Sequence, residues 1–100
     1  MTHPAQGFDD VVHQRNRLAI LSVARESSRV EFSFLKENLG LTQGNLSRHL
    51  QVLEEAGYLT IEKGYVGKRP RTWVKITRRG RRAFDDEVRS LREFLEHIEG

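Results

Sequence analysis

The chain contains no cysteine, so neither a disulfide nor a thiolate-bound metal can hold it together. It has only two prolines, Pro4 and Pro70, and no glycine-rich loop after a strand, so it lacks the phosphate cradle of a nucleotide-binding enzyme. No apolar stretch approaches the ~18 residues of a membrane span. The first residues lack the basic start and apolar middle of a signal peptide, and the expected location is the cytoplasm. Enzyme chemistry is not expected. No nucleophile lies near a base, and the carboxylate pairs Glu54-Glu55 and Asp85-Asp86 read as solvated helix faces. Neither a repeat nor a low-complexity tract is present, and 100 residues suit one domain with a modest core.

What the chain does have is charge, unevenly placed. The net charge of +3 says little, but Lys63, Lys68, Arg69, Arg71, Lys75, Arg78, Arg79, Arg81 and Arg82 fall in one stretch without an acidic residue. A solvated charge run is the plain alternative. Clustering on a hairpin and its exit favours a polyanion partner.

The segment from Leu39 to Leu59 is the most informative. Thr42 is a good N-cap, and Leu46, Leu50 and Leu53 recur at i, i+4 and i+7 as one buried stripe. That stripe puts Gly44, Ser47, Arg48 and Gln51 on the opposite face, with Gln43 at the exposed amino-terminal edge and Asn45 on the flank. Such a helix suits a DNA major groove: Gln and Arg reach base edges, Ser serves bases or phosphates, Gly44 lets the backbone come close, and Thr42 joins them as a candidate DNA contact at the helix start. Ala56-Gly57 closes the helix. Tyr58–Ile61 and Thr72–Ile76 then read as strands, joined by Glu62–Arg71 as a hairpin with a loose tip. Lys68, Arg69 and Arg71 are its candidate DNA contacts, with Pro70 limiting the tip's flexibility. Helix, stop, strand, basic loop and strand in that order describe a winged helix-turn-helix, a mainly α fold with a small β-hairpin wing and extended terminal helices.

From about Arg17 to Phe84 the chain resembles the winged-helix transcriptional regulators of the ArsR and MarR superfamily, and in particular a family of small stand-alone winged-helix DNA-binding domains. The resemblance rests on Arg17-Leu18-Ala19-Ile20-Leu21, Phe34 to Thr42, Asn45-Leu46-Ser47-Arg48-His49-Leu50 with Leu53 and Gly57, Gly67 to Thr72, and Ile76 to Phe84. Each piece is weak alone, and five in order are specific. The resemblance implies sequence-specific binding of double-stranded DNA by a homodimer, and it leaves open a small-molecule effector between the dimerisation helices and the winged domain. Repression is the default expectation, because so short a chain has no room for a separate activation domain.

Two helices outside the reading head suggest the assembly. Residues 1–8 are polar and expected to be flexible, ahead of a single domain over 9–100. Asp9 or Asp10 is expected to cap a first helix running to Glu26, and its stretch Leu18–Ala24 is apolar nearly all round, so it needs cover on two sides. The last helix, expected over 77–98 with Thr77 as its cap, carries Phe84, Val88, Leu91, Leu95 and Ile98 at heptad spacing. Together with Leu18 and Leu21, that seam is the expected dimer interface.

Two rival readings remain. A winged-helix protein-interaction module would expose an acidic or apolar recognition face, which Gln43, Ser47 and Arg48 do not form. A ligand- or metal-responsive regulator would need a sensor site. Asp86, His97 and Glu99 are the only candidates on the last helix, and one histidine there is too few. No cofactor is therefore expected. His49 is expected to pack or hydrogen-bond near a helix–helix contact.

Overall fold

The computed structural model describes residues 3–100. Helix α1 spans Arg15–Arg25, strand β1 Val30–Glu31, helix α2 Phe32–Leu39, helix α3 Gln43–Glu55, strand β2 Leu59–Val66, strand β3 Arg69–Ile76 and helix α4 Arg78–Glu99. The strands form one antiparallel sheet in the order β1-β3-β2. The core lies where three helices meet the base of that sheet: Ile20, Leu21 and Ala24 from α1, Leu35 from α2, Leu46, Leu50 and Leu53 from α3, and Leu59, Val74 and Ile76 from the hairpin. These are the apolar stripes of amphipathic helices closing on the apolar face of a sheet.

The first helix begins later than expected, at Arg15, because the single turn that Asp9 caps ends at an extended Gln14 (φ −147°, ψ 130°). The Asp9 carboxylate accepts from the amides of Val11 and Val12 at 2.8 and 3.3 Å and from the Tyr58 hydroxyl at 2.7 Å. The resulting turn tucks Val12 fully into the core, and Gln14 then caps α1 by accepting from the Arg17 amide at 2.8 Å. Residues 3–8, expected to be flexible, form a short 3-10 turn over Pro4–Gly7 laid against α4; residues 1 and 2 lie outside the described residues.

The hairpin is longer and tighter than a loose-tipped loop. Most of the Glu62–Arg71 connection is paired strand, with Lys63 opposite Thr72, Tyr65 opposite Pro70, and only Gly67-Lys68 left as the turn. Gly67 takes φ 63° at the first of those two positions, where a II′ turn places its glycine. Pro70 is tolerated because β1 pairs only with Trp73 and Val74, so that β3 is an edge strand at the proline.

Helix α4 starts against the root of the hairpin. Thr77 caps it as expected, accepting from the Gly80 amide at 2.9 Å. A Cβ on Gly80 would stand 2.1 Å from the Tyr58 carbonyl oxygen, so only glycine permits this approach. From there α4 extends well past the core, giving the molecule extents of 56 × 25 × 21 Å. One stripe of α4 lies under the amino-terminal segment. Buried Glu87 accepts from the Asp9 amide at 3.0 Å and pairs with His13 Nδ1 at 2.6 Å, and the Ser90 hydroxyl donates to the Gly7 carbonyl at 3.2 Å. Phe94 meets the Phe8 ring edge-on at 5.7 Å, and His97 meets His3 at 4.8 Å. On the neighbouring heptad seam, Phe84, Val88 and Leu91 are half-buried, whereas Leu95 is 50% and Ile98 62% exposed.

Candidate nucleic-acid interface

Helix α3 presents the expected two faces. Leu46, Leu50 and Leu53 are buried, and Gln43, Gly44, Ser47, Arg48 and Gln51 are exposed on the other side. The Thr42 hydroxyl accepts from the Asn45 amide at 3.1 Å, so its role in the free protein is to open the helix. Gly57 then turns the chain out of the helix at φ 82°. Gln51 donates to Glu55 at 3.2 Å along the surface, a contact that a base edge would have to replace. A Cβ on Gly44 would meet nothing within 4 Å, so its lack of a side chain is not demanded by packing within the protein.

His49 lies between this exposed face and the scaffold. The Arg17 guanidinium donates to His49 Nδ1 at 3.2 Å and to the Val11 carbonyl at 2.6 Å, joining α3 to the turn before α1. Burial, then the positive charges of Arg17 and Arg48, lower the His49 pKa below the ordinary histidine range. Tyr58 shifts the other way: its hydrogen bond to Asp9, then burial and the Asp9 charge, raise the phenol pKa.

Register sorts the hairpin into two faces. Side chains alternate along a strand, and directly opposed residues share a face. Leu59/Ile76 and Ile61/Val74 sit on the core side, so Lys63/Thr72 and Tyr65/Pro70 continue that side outward. A groove of about 290 Å³ confirms the placement, bringing Gln43 and Ser47 of α3 together with Ile61, Lys63 and Thr72. The pairs Glu62/Trp73, Gly64/Arg71 and Val66/Arg69 lie on the far side. Contacts there agree: Arg29 lies 3.8 Å over the Trp73 ring, and Arg71 pairs with Glu31 at 3.1 Å.

The structure therefore divides the expected wing contacts. Lys68 and Arg69 are exposed at the tip, Arg69 on the same far side as Arg71, and Arg71 is half-buried and neutralised by Glu31 there. Lys63, in the sequence one charge among nine, stands beside α3. Counting alternate positions outward from Leu59 would have found it, had the strand been known to run so far.

Asp86 pairs with Arg89 at 3.2 Å, and among the described residues no three histidine or acidic side chains gather as metal ligands. No helix among them is long and apolar enough to cross a membrane.

An exposed polar helix face backed by leucines, with a basic two-stranded wing beside it, defines a winged helix-turn-helix transcriptional regulator. The chain belongs to the winged helix DNA-binding domain family, which matches residues 16–95. It is 39% identical over 92 residues to an uncharacterized protein of Methanocaldococcus jannaschii, covering 92% of this chain and 96% of that one. Its fold is similar to the structure of a transcriptional regulator homologue from Pyrococcus horikoshii, with TM-score 0.89, 28% identity and full coverage of both chains. A MarR-family transcriptional regulator from a Rhodococcus species shares the fold at TM-score 0.74 and 18% identity, over 96% of this chain and 67% of that one.

Proposed function

We propose that the protein is a cytoplasmic repressor that binds a pseudo-palindromic operator as a homodimer, each subunit laying α3 in a major groove. The observation that carries this reading is the pairing of a free polar face on α3 with an apolar seam on α4 whose outer end, Leu95 and Ile98, is exposed. Two copies joined along α4 can set their recognition helices ~34–36 Å apart, one helical turn of DNA. Leu91, Leu95 and Ile98 with Phe84, Val88 and half-buried Leu18 form the proposed interface. Leu21 takes no part, because it is fully enclosed in its own chain. Arg48 and Gln51 contact bases, Gln43 and Ser47 contact bases or phosphates, Gly44 admits close approach, and Lys68 and Arg69 meet the backbone beside them.

The test is selection of bound sequences from a random duplex pool, followed by Arg48→Ala at the selected site. The variant should cost ~1–3 kcal/mol there and relax the preference at one or two base pairs. Equal losses on selected and random duplexes would make Arg48 a phosphate clamp and refute direct readout.

A further inference from the structure

We propose that Lys63 and Tyr65 form a second DNA contact on the recognition-helix side of the wing, Lys63 on a backbone phosphate and Tyr65 against the adjoining deoxyribose. The inference rests on the reading of α3 as the DNA-reading helix. Lys63 is exposed and lines the groove that holds Gln43 and Ser47, so a duplex seated on α3 meets its ammonium at the groove's outer wall. No salt-bridge partner holds Lys63 among the described residues, in contrast to Arg71.

Tyr65 follows two residues further out on the same face and is 75% exposed, more than any other large hydrophobic side chain of the described residues. It stands opposite Pro70, so two apolar rings face the same way at a place where nothing of this chain covers them. Cations flank them: Lys63 toward the core and Lys68 at the tip. An apolar ring with a polar end, bracketed by positive charge, calls for a partner that is apolar and anionic over a few ångströms. The sugar–phosphate wall of a DNA groove has that composition, whereas an acidic protein surface supplies the charge without the apolar wall. Arg71 is the natural contrast. It belongs to the same basic stretch but lies on the other face with its charge already met by Glu31.

The experiment measures binding of the full chain to the selected duplex across a salt series, for Lys63→Gln, Tyr65→Ala, Tyr65→Phe and Arg71→Gln. Lys63→Gln should weaken binding to every duplex and reduce the slope of log affinity against log salt by about one. Tyr65→Ala should weaken binding roughly tenfold at unchanged slope, since an apolar contact is lost without a charge. Tyr65→Phe should retain affinity, and Arg71→Gln should stay within about twofold. An unchanged slope for Lys63→Gln removes Lys63 from the contact, and unchanged affinity for Tyr65→Ala removes Tyr65. If Tyr65→Ala instead dissociates the dimer in sedimentation, the ring serves protein assembly and the proposal is overturned. Arg48→Ala separates this failure from that of the underlying reading: sensitivity there with indifference at Lys63 and Tyr65 refutes this contact alone, and absence of duplex binding refutes both.

Discussion

Two stripes run side by side along α4, and the chain treats them differently. Glu87, Ser90, Phe94 and His97 each meet a named partner in the amino-terminal segment, whereas Leu95 and Ile98 on the next stripe stay largely exposed. The covered stripe mixes a carboxylate, a hydroxyl and two rings; the open one is wholly apolar. Fully burying a leucine or isoleucine is worth ~1.5–3 kcal/mol, so a chain folded only for itself would cover the apolar stripe first. The polar stripe is specific because each of its groups demands a matching partner, and the apolar stripe is general because it asks only to leave water. That difference is the physical ground for assigning the open stripe to a second copy.

The largest expected effect comes from charging the open stripe. Leu91→Glu with Leu95→Glu should give a monomer in sedimentation that loses tight binding to a two-half-site duplex and keeps weak half-site binding. A dimer that persists and binds normally would break the comparison, because the seam would then be packing within one subunit. Charging should have no counterpart on the covered stripe, where removal of one group is the sharper probe. Glu87→Ala leaves the part-buried Asp9 amide and His13 without their acceptor and should cost about 2 kcal/mol in denaturant unfolding, the His13 side chain being 45% exposed. Amide exchange should accelerate over residues 3–13 while the dimer survives. Loss of the dimer in this variant would mean that the two stripes are not independent.

The smallest effect separates the amino-terminal segment from α3 rather than from α4. His49 accepts from Arg17, and burial with two neighbouring cations favours its neutral form in the folded state. Its folded pKa lies below the unfolded value of about 6.5, so the stability it contributes is fully present above that pH and is lost as pH falls through the folded value. Thermal melts between about pH 7.5 and about pH 5 should show this decline, and His49→Gln should flatten it. An identical slope in the variant would assign the decline to other groups.

How much of this was legible in the sequence follows from the range of the contacts involved. Helix α3 was legible in its cap, stripe and stop, because Thr42, Leu46, Leu50, Leu53 and Gly57 each follow the last within four residues. The hairpin was legible as a pair of strands but not in its length. Glu62, Lys63 and Gly64 are poor strand formers alone and are held by Trp73, Thr72 and Arg71 across the ladder. Length matters to the proposed contacts, since register places Lys63 and Arg71 on opposite faces and a one-residue slip of either strand would bring them onto the same one. Strand β1 has two residues and no periodicity to detect. The amino-terminal turn was misjudged because its partners lie far off in sequence, with Glu87 and Ser90 some eighty residues from Asp9 and Gly7. Phe94 fell outside the heptad seam and was overlooked for the same reason.

The missing side chain at Gly80 has a mechanical consequence. With the first turn of α4 pressed against the Tyr58 carbonyl, and the Thr77 hydroxyl and amide bonded to Gly57 and Tyr58, the joint between α4 and the root of the wing has no slack. Helix α4, ~33 Å long at 1.5 Å per residue, then acts as a lever whose short end carries the wing and whose long end lies in the proposed dimer seam. A small change in the angle at which two such levers cross alters the separation of the reading heads directly, without being absorbed by a hinge. In the proposed dimer the spacing of half-sites is thus set by the crossing of two helices that never touch the DNA with their apolar seam.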